Sequence, residues 1–288
     1  MSDRQNAKGS RVEPSGSALP VWWLVFKQEL TELWVGGRVL NLLILFSVLM
    51  SITAFLLATN NELSLLPQKQ MVFVALTTAI TFGLFNGLII AAESISGERE
   101  RTTLEALLLT PTSRRQIVVG KFLSALSPWP VALIVSIPYI AVLSQGDEVL
   151  GPALLLGALM GSLLSVAFIG FGMLVSLWSN SNRISLFVSL LVYVLSLIPA
   201  QLPTEFQASP AGVVVAAMNP LEAARQFLQK TLMESRPIAE VWIFLAAPAA
   251  LTALMLGLLF WYAAPRLRLE AGRASMSWRI WSRAEAIE

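Results

Sequence analysis

The sequence predicts an all-α integral membrane protein with six transmembrane helices, an N-terminal interfacial amphipathic helix and a short helix in one connection. Three observations carry that prediction. Of 288 residues, 56% are hydrophobic and 13% charged, against about 45–50% apolar residues in soluble domains. Six apolar stretches approach the ~20 residues needed to cross roughly 30 Å of hydrocarbon. Lys and Arg crowd into one set of connections, as the retention of basic loops on the cytoplasmic side requires.

Residues 1–19 are polar, rich in Gly, Ser and Pro, and are expected to form a disordered cytoplasmic tail, with too little apolar surface to offset ordering entropy. No secretory signal is expected, because the first long apolar run begins only near Val39. Over 20–37 the spacing of Trp22, Phe26, Leu30, Leu33 and Gly37 predicts an amphipathic helix, with Lys27, Gln28, Thr31 and Glu32 opposite. Pro20 opens it and Gly36-Gly37 closes it. Its Trp-rich face suits the headgroup layer.

The transmembrane domain is expected over 38–265, with spans near 39–58, 71–92, 117–143, 152–178, 184–200 and 241–264. Pro128, Pro130 and Pro138 interrupt the third and favour a kink. Gly157 and Gly161 give the fourth a GxxxG pattern for close helix packing, continued by Gly170 and Gly172. A tail over 266–288 follows the sixth. Counting basic residues places 16 of 20 on one side, and both termini are therefore expected in the cytoplasm.

Composition narrows the chemistry. A net charge of +2 does not point to nucleic acid. With no Cys and no His, disulfides, thiolate chemistry, imidazole bases and the usual zinc sites are removed. The spans hold almost no ionisable residue, the exceptions being Lys121 near a span end and polar groups such as Asn41 and Asn86. This scarcity argues against ion-coupled transport, which usually keeps acids or His in the membrane. Lys121 with Ser124 is a catalytic pair only on paper, since a Lys near a span end is expected to snorkel. No GxxxxGK[ST] loop occurs, and Gly120-Lys121-Phe122 lacks both the upstream Gly and the Ser/Thr. No catalytic, cofactor-binding or metal residue is therefore assigned.

The connection over 93–116 holds the densest charge cluster. Thr102 and Glu105 fit a capping box, and Pro111 stops helix at Thr110, which predicts a two-turn helix over 103–109. Leu104, Leu107 and Leu108 give it an apolar face. Ser113 and Gln116 form a second capping box leading into the third span, behind Arg114 and Arg115. Such a helix can pass force from a cytoplasmic partner or be an ordinary solvated loop.

The run Gly97-Glu98-Arg99-Glu100-Arg101-Thr102-Thr103-Leu104-Glu105-Ala106-Leu107-Leu108-Leu109-Thr110-Pro111 resembles the loop of type-2 ABC transporter permeases. There a similar run, roughly E-R-E-x-G-T-L-E-x-L-L-x-T-P, contacts the ATP-binding subunit as a coupling helix. The resemblance implies contacts at Glu98, Arg99, Glu100, Arg101, Thr103, Leu104, Glu105, Thr110 and Pro111, with Leu107 and Leu108 on the apolar face. Thr102 stands where many members have Gly. It also implies an exporter permease in the bacterial inner membrane, working with a separate ATP-binding subunit that carries ATP and Mg, a second permease chain and membrane lipid. The outer segment, 201–240, is expected to start a helix at Asn219-Pro220 and to dip toward the outer leaflet, or to form a simple loop. A stand-alone channel or secondary transporter, and a non-transporting scaffold, remain the alternatives.

Overall fold

The computed structural model describes residues 20–60, 66–102, 113–145, 148–203, 205 and 209–263. The expected tails, 1–19 and 266–288, and the expected helix over 103–109 lie outside them. Among the described residues the chain is helical throughout, with six helical segments long and apolar enough to span a membrane. They run Arg38–Thr59, Gln68–Glu100, Arg114–Ser144, Leu150–Trp178, Asn182–Gln201 and Ile243–Trp261, each within a few residues of its expected place except the second, which runs eight residues beyond its expected end at 92.

Helix α1 (Val21–Val35) follows Pro20 and ends at Gly36-Gly37, where Gly37 at φ 76° turns the chain into α2 (Arg38–Thr59). An L side chain rarely adopts that backbone conformation, so the turn selects Gly. Helix α3 (Gln68–Glu93) is followed by the short α4 (Ser96–Glu100). The third span is broken at Ser127 into α5 (Arg114–Leu126) and α6 (Pro128–Ser144). Pro128 starts the second half, in keeping with the expected kink. Helix α7 (Leu150–Trp178) and α8 (Asn182–Leu197) form the fourth and fifth spans, the latter continued by a 3-10 turn over Ile198–Gln201.

Among the described residues, α9 (Pro210–Met218), α10 (Pro220–Leu232) and α11 (Ile238–Val241) then lie in the connection to the last span. The expected start at Asn219-Pro220 is correct, with Asn219 Oδ1 accepting from the amides of Leu221 (2.9 Å) and Glu222 (3.2 Å). Helix α12 (Ile243–Gly257) ends in a π turn over Leu258–Ala263.

Helices α3 and α7 form the core, whereas α2, α8 and α12 are largely exposed. Lipid tails give apolar helices no hydrophobic reason to associate, so close backbone approach and packing must do it. Both core helices carry small residues at every fourth position, one above the other on a helix face: Ala75, Ala79, Gly83, Gly87 and Ala91 on α3, and Ala153, Gly157, Gly161 and Ser165 on α7, all buried. The GxxxG expectation acquires specific partners. A Cβ at Gly157 would lie 2.4 Å from Leu76, and one at Gly161 would lie 2.2 Å from the Trp129 ring.

Candidate functional site

The residues singled out by the charge cluster lie where α3, α4, α5, α7 and α8 end, at the basic end of the bundle. The helix breaks between α3 and α4, which frees the amides of Ile95 and Ser96 from helical partners. Both donate to Ser176 Oγ of α7, at 3.1 and 2.9 Å. Ser96 Oγ donates to the Ala92 carbonyl and to Asn182 Oδ1, and Ser185 Oγ of α8 donates to the same Ala92 carbonyl at 2.7 Å. A buried backbone amide left unpaired is costly, so these hydroxyls fix the break in one geometry.

From that break three consecutive side chains point to three parts of the fold. Glu98 Oε1 accepts from Lys121 Nζ of α5 at 2.5 Å. Arg99 donates from Nη1 to the Ser179 carbonyl and from Nη2 to the Leu177 carbonyl, 3.2 Å away, satisfying the C-terminal end of α7. Glu100 Oε1 accepts from the Asn182 amide at 2.7 Å and from Ser181 Oγ at 2.9 Å, at the N-terminus of α8, where a carboxylate also complements the helix dipole. One short helix thus ties the third span, the end of the fourth and the start of the fifth.

Lys121 is the centre of the site. The snorkelling expected of it does not occur: the side chain is 1% exposed and also donates to Glu29 Oε1 of α1 at 2.6 Å. The reason is tertiary. Val25 packs so tightly on Gly120 that a Cβ there would come within 2.8 Å of it, and this brings α1 over α5 and seals the ammonium off. A buried cation needs partners, and two carboxylates from separate segments supply them. The paper pairing of Lys121 with Ser124 is also corrected, since Ser124 Oγ donates to the Lys121 carbonyl at 2.8 Å, a local backbone bond without a catalytic geometry.

The remaining expected site residues divide cleanly. Arg101 is exposed, while Thr103, Leu104, Glu105, Leu107, Leu108, Thr110 and Pro111 lie outside the described residues. The Ser113–Gln116 capping box is present with both reciprocal bonds. Thr102 does not have the extended backbone of an N-cap; it lies at φ 60° with Oγ1 donating to the Arg101 carbonyl. A β-branched residue is strained in that region, where Gly is not. Thr102→Gly is therefore expected to stabilise the protein by about 1 kcal/mol, measured as a rise in the thermal midpoint of the purified protein; an unchanged or lowered midpoint would show no strain at this position.

Glu29 and Lys121 escaped the motif. Glu29 has no sequence signal of its own, but Lys121, four positions inside the expected apolar span, was the available clue, because such a charge has to find a partner.

At the opposite end, α10 covers a cavity of about 340 Å³ whose lining includes Thr77, Thr81, Ser196, Gln201, Glu222 and Arg225. Glu222 is 3% exposed and receives Arg225 in a bidentate pair, at 2.8 and 2.6 Å. The Asn219 amide group donates to the Ser196 carbonyl at 2.8 Å, locking α10 to α8. The segment expected either to dip or to form a simple loop is thus a set of helices packed onto the bundle. Among the described residues no cluster of acidic, His or Cys side chains could hold a metal.

Residues 23–265 match the model of the family described as ABC-2 family transporter protein. No curated protein matches the chain.

Proposed function

Because the chain belongs to the ABC-2 transporter family, whose members are non-catalytic membrane permease subunits, we propose that ATP hydrolysis in a separate nucleotide-binding subunit drives export through it. The basic end is then cytoplasmic, in line with the distribution of Lys and Arg, and the segment 93–116 receives the ATP-binding subunit. The single observation that supports this most is the anchoring of α4. Through Glu98, Arg99 and Glu100 it holds α5, α7 and α8, and through Lys121 it reaches α1.

A push on the loop after Arg101 would therefore move several span ends together. Packed interfaces of this kind switch between discrete arrangements, so a small displacement can shift the population between inward-open and outward-open states. A second permease chain would complete the pathway, with the exposed faces of α2 and α8 available to lipid or to that chain. The cavity under α10 lies within the roughly 300–1,000 Å³ typical of small-molecule sites. Its apolar walls, hydroxyls and ion pair suit part of an amphipathic cargo.

Affinity purification from native membranes tests the reading. An ATP-binding subunit is expected at stoichiometric amounts, and Glu105→Lys is expected to cut coupled ATP hydrolysis at least tenfold with membrane insertion unchanged. Isolation of an active solute carrier with no ATPase would favour the stand-alone transporter. A stable complex without transport in reconstituted vesicles would favour the scaffold.

A further inference from the structure

The cavity under α10 reaches deep into the bundle. Thr81 stands about 20 Å along α3 from Gln68, and Leu164 about 21 Å along α7 from Leu150, yet both line the same space as Glu222 and Arg225 of α10. Lipid tails cannot satisfy polar oxygens at such depth.

The hydrogen bonds of the lining define what it can receive. Three of its four hydroxyls give their one proton to a carbonyl of their own helix: Thr77 Oγ1 to Phe73 (2.9 Å) and Val74 (3.0 Å), Thr81 Oγ1 to Thr77 (2.8 Å), and Ser196 Oγ to Tyr193 (2.6 Å). A carbonyl only accepts, so the direction is fixed and each of these oxygens has only lone pairs left to offer. Arg225 is the complementary group. Of its five N–H donors, Nε and one on Nη2 go to Glu222 and one on Nη1 goes to Gln229 Oε1 at 3.3 Å, while the side chain is 29% exposed. Two N–H groups are left for a ligand.

The lining therefore suits a group that donates to the Thr and Ser oxygens and accepts from Arg225, and a hydroxyl is the simplest group that does both. Charge narrows the choice further. Glu222 and Arg225 already neutralise one another, so a cation would meet the guanidinium, and an anion would meet the acceptor oxygens and the buried carboxylate. Phe82, Leu164 and Leu197 supply apolar wall for a hydrocarbon portion. We infer that this cavity, within one permease chain, binds an uncharged polyhydroxylated headgroup that carries an alkyl chain. The inference deepens the cargo reading above and rests on it.

The test measures equilibrium binding of radiolabelled hexyl β-D-glucoside to the full-length protein in discs of zwitterionic lipid, counted against empty discs. Saturable binding is expected at one probe per chain, with hexyl sulfate and hexyltrimethylammonium displacing it at least tenfold less well. The double variant Thr81→Val/Ser196→Ala keeps nearly the same shape and removes two acceptors, and it is expected to bind the glucoside about tenfold more weakly.

Absence of saturable binding above empty discs overturns the inference, as does equal displacement by either charged probe. Unchanged binding by the folded double variant would assign the cavity to the alkyl chain alone and overturn it as well. If the double variant does not fold, the displacement series on wild type decides. Failure of wild type to bring down an ATP-binding subunit from native membranes would remove the exporter reading and the ligand's role as cargo, whereas failed glucoside binding with that subunit present removes this inference alone.

Discussion

Lys121→Met should destabilise the protein by about 3–5 kcal/mol, the usual cost of stranding buried charge when one partner of an ion pair is removed. Methionine matches the lysine stem in volume, so the loss comes from charge. Glu29 and Glu98 would face each other across the site with their shared cation gone. Helix α1 would lose its one buried ion pair to α5 among the described residues and retain apolar contacts such as Val25 against Gly120 and the 3.2 Å hydrogen bond from Trp34 Nε1 to Ser127 Oγ. The threefold neutral variant Glu29→Gln/Lys121→Met/Glu98→Gln separates charge from packing. It should regain most of the lost stability, because amides do not carry the desolvation cost of unpaired carboxylates. Thermal midpoints of the purified proteins check this. The absence of cysteine from the sequence also lets a single introduced thiol on α1, at the buried Val25, report detachment by its rate of labelling. A Lys121→Met protein as stable as wild type, with unchanged labelling, would remove the buried triad from the account.

The second large effect is expected at Gly161. Trp129 of α6 lies between the core helices. A Cβ at Gly161 would come within 2.2 Å of its Cη2 and Cζ2, and one at Gly83 within 2.8 Å of its Cζ3. The indole cannot slide away from either, and its Nε1 is held by Ser162 Oγ at 3.0 Å. Gly161→Ala is therefore expected to cost about 1–3 kcal/mol through overpacking, despite the better helix propensity of alanine. Trimming the indole should relieve it: Gly161→Ala combined with Trp129→Leu should cost about 1–2 kcal/mol less than the sum of the two single changes. Gly151→Ala is the matching control, because nothing lies within 4 Å of a Cβ there. Equal effects at Gly151 and Gly161 would mean that helix propensity, not contact with Trp129, decides the outcome.

These two sites differ in how much of them the sequence discloses. Spans, their number and the capping signals are legible because they are local. Hydrocarbon thickness sets the length of an apolar run, and a Ser–Gln or Asn–Pro pair acts within one helical turn. The Ser113–Gln116 box and the start of α10 at Asn219 follow from residues no more than three apart. Even the GxxxG of α7 shows that something packs there, though not that it is Leu76 and an indole.

What the sequence determined by itself is the class of molecule: six helices in a bilayer, the distribution of basic residues between its connections, and a charged loop that resembles a coupling element. Only the tertiary structure decided what the charges do. Glu29 and Glu98 stand 92 and 23 positions from Lys121, and no local rule relates such residues. Their meeting depends on α1 lying over α5, and that depends on Gly120 admitting Val25. The same packing turns the lysine inward, where it is 1% exposed. A charge in a sequence records only that it must be solvated or paired; which of the two happens is set by what the fold brings within about 3 Å of it.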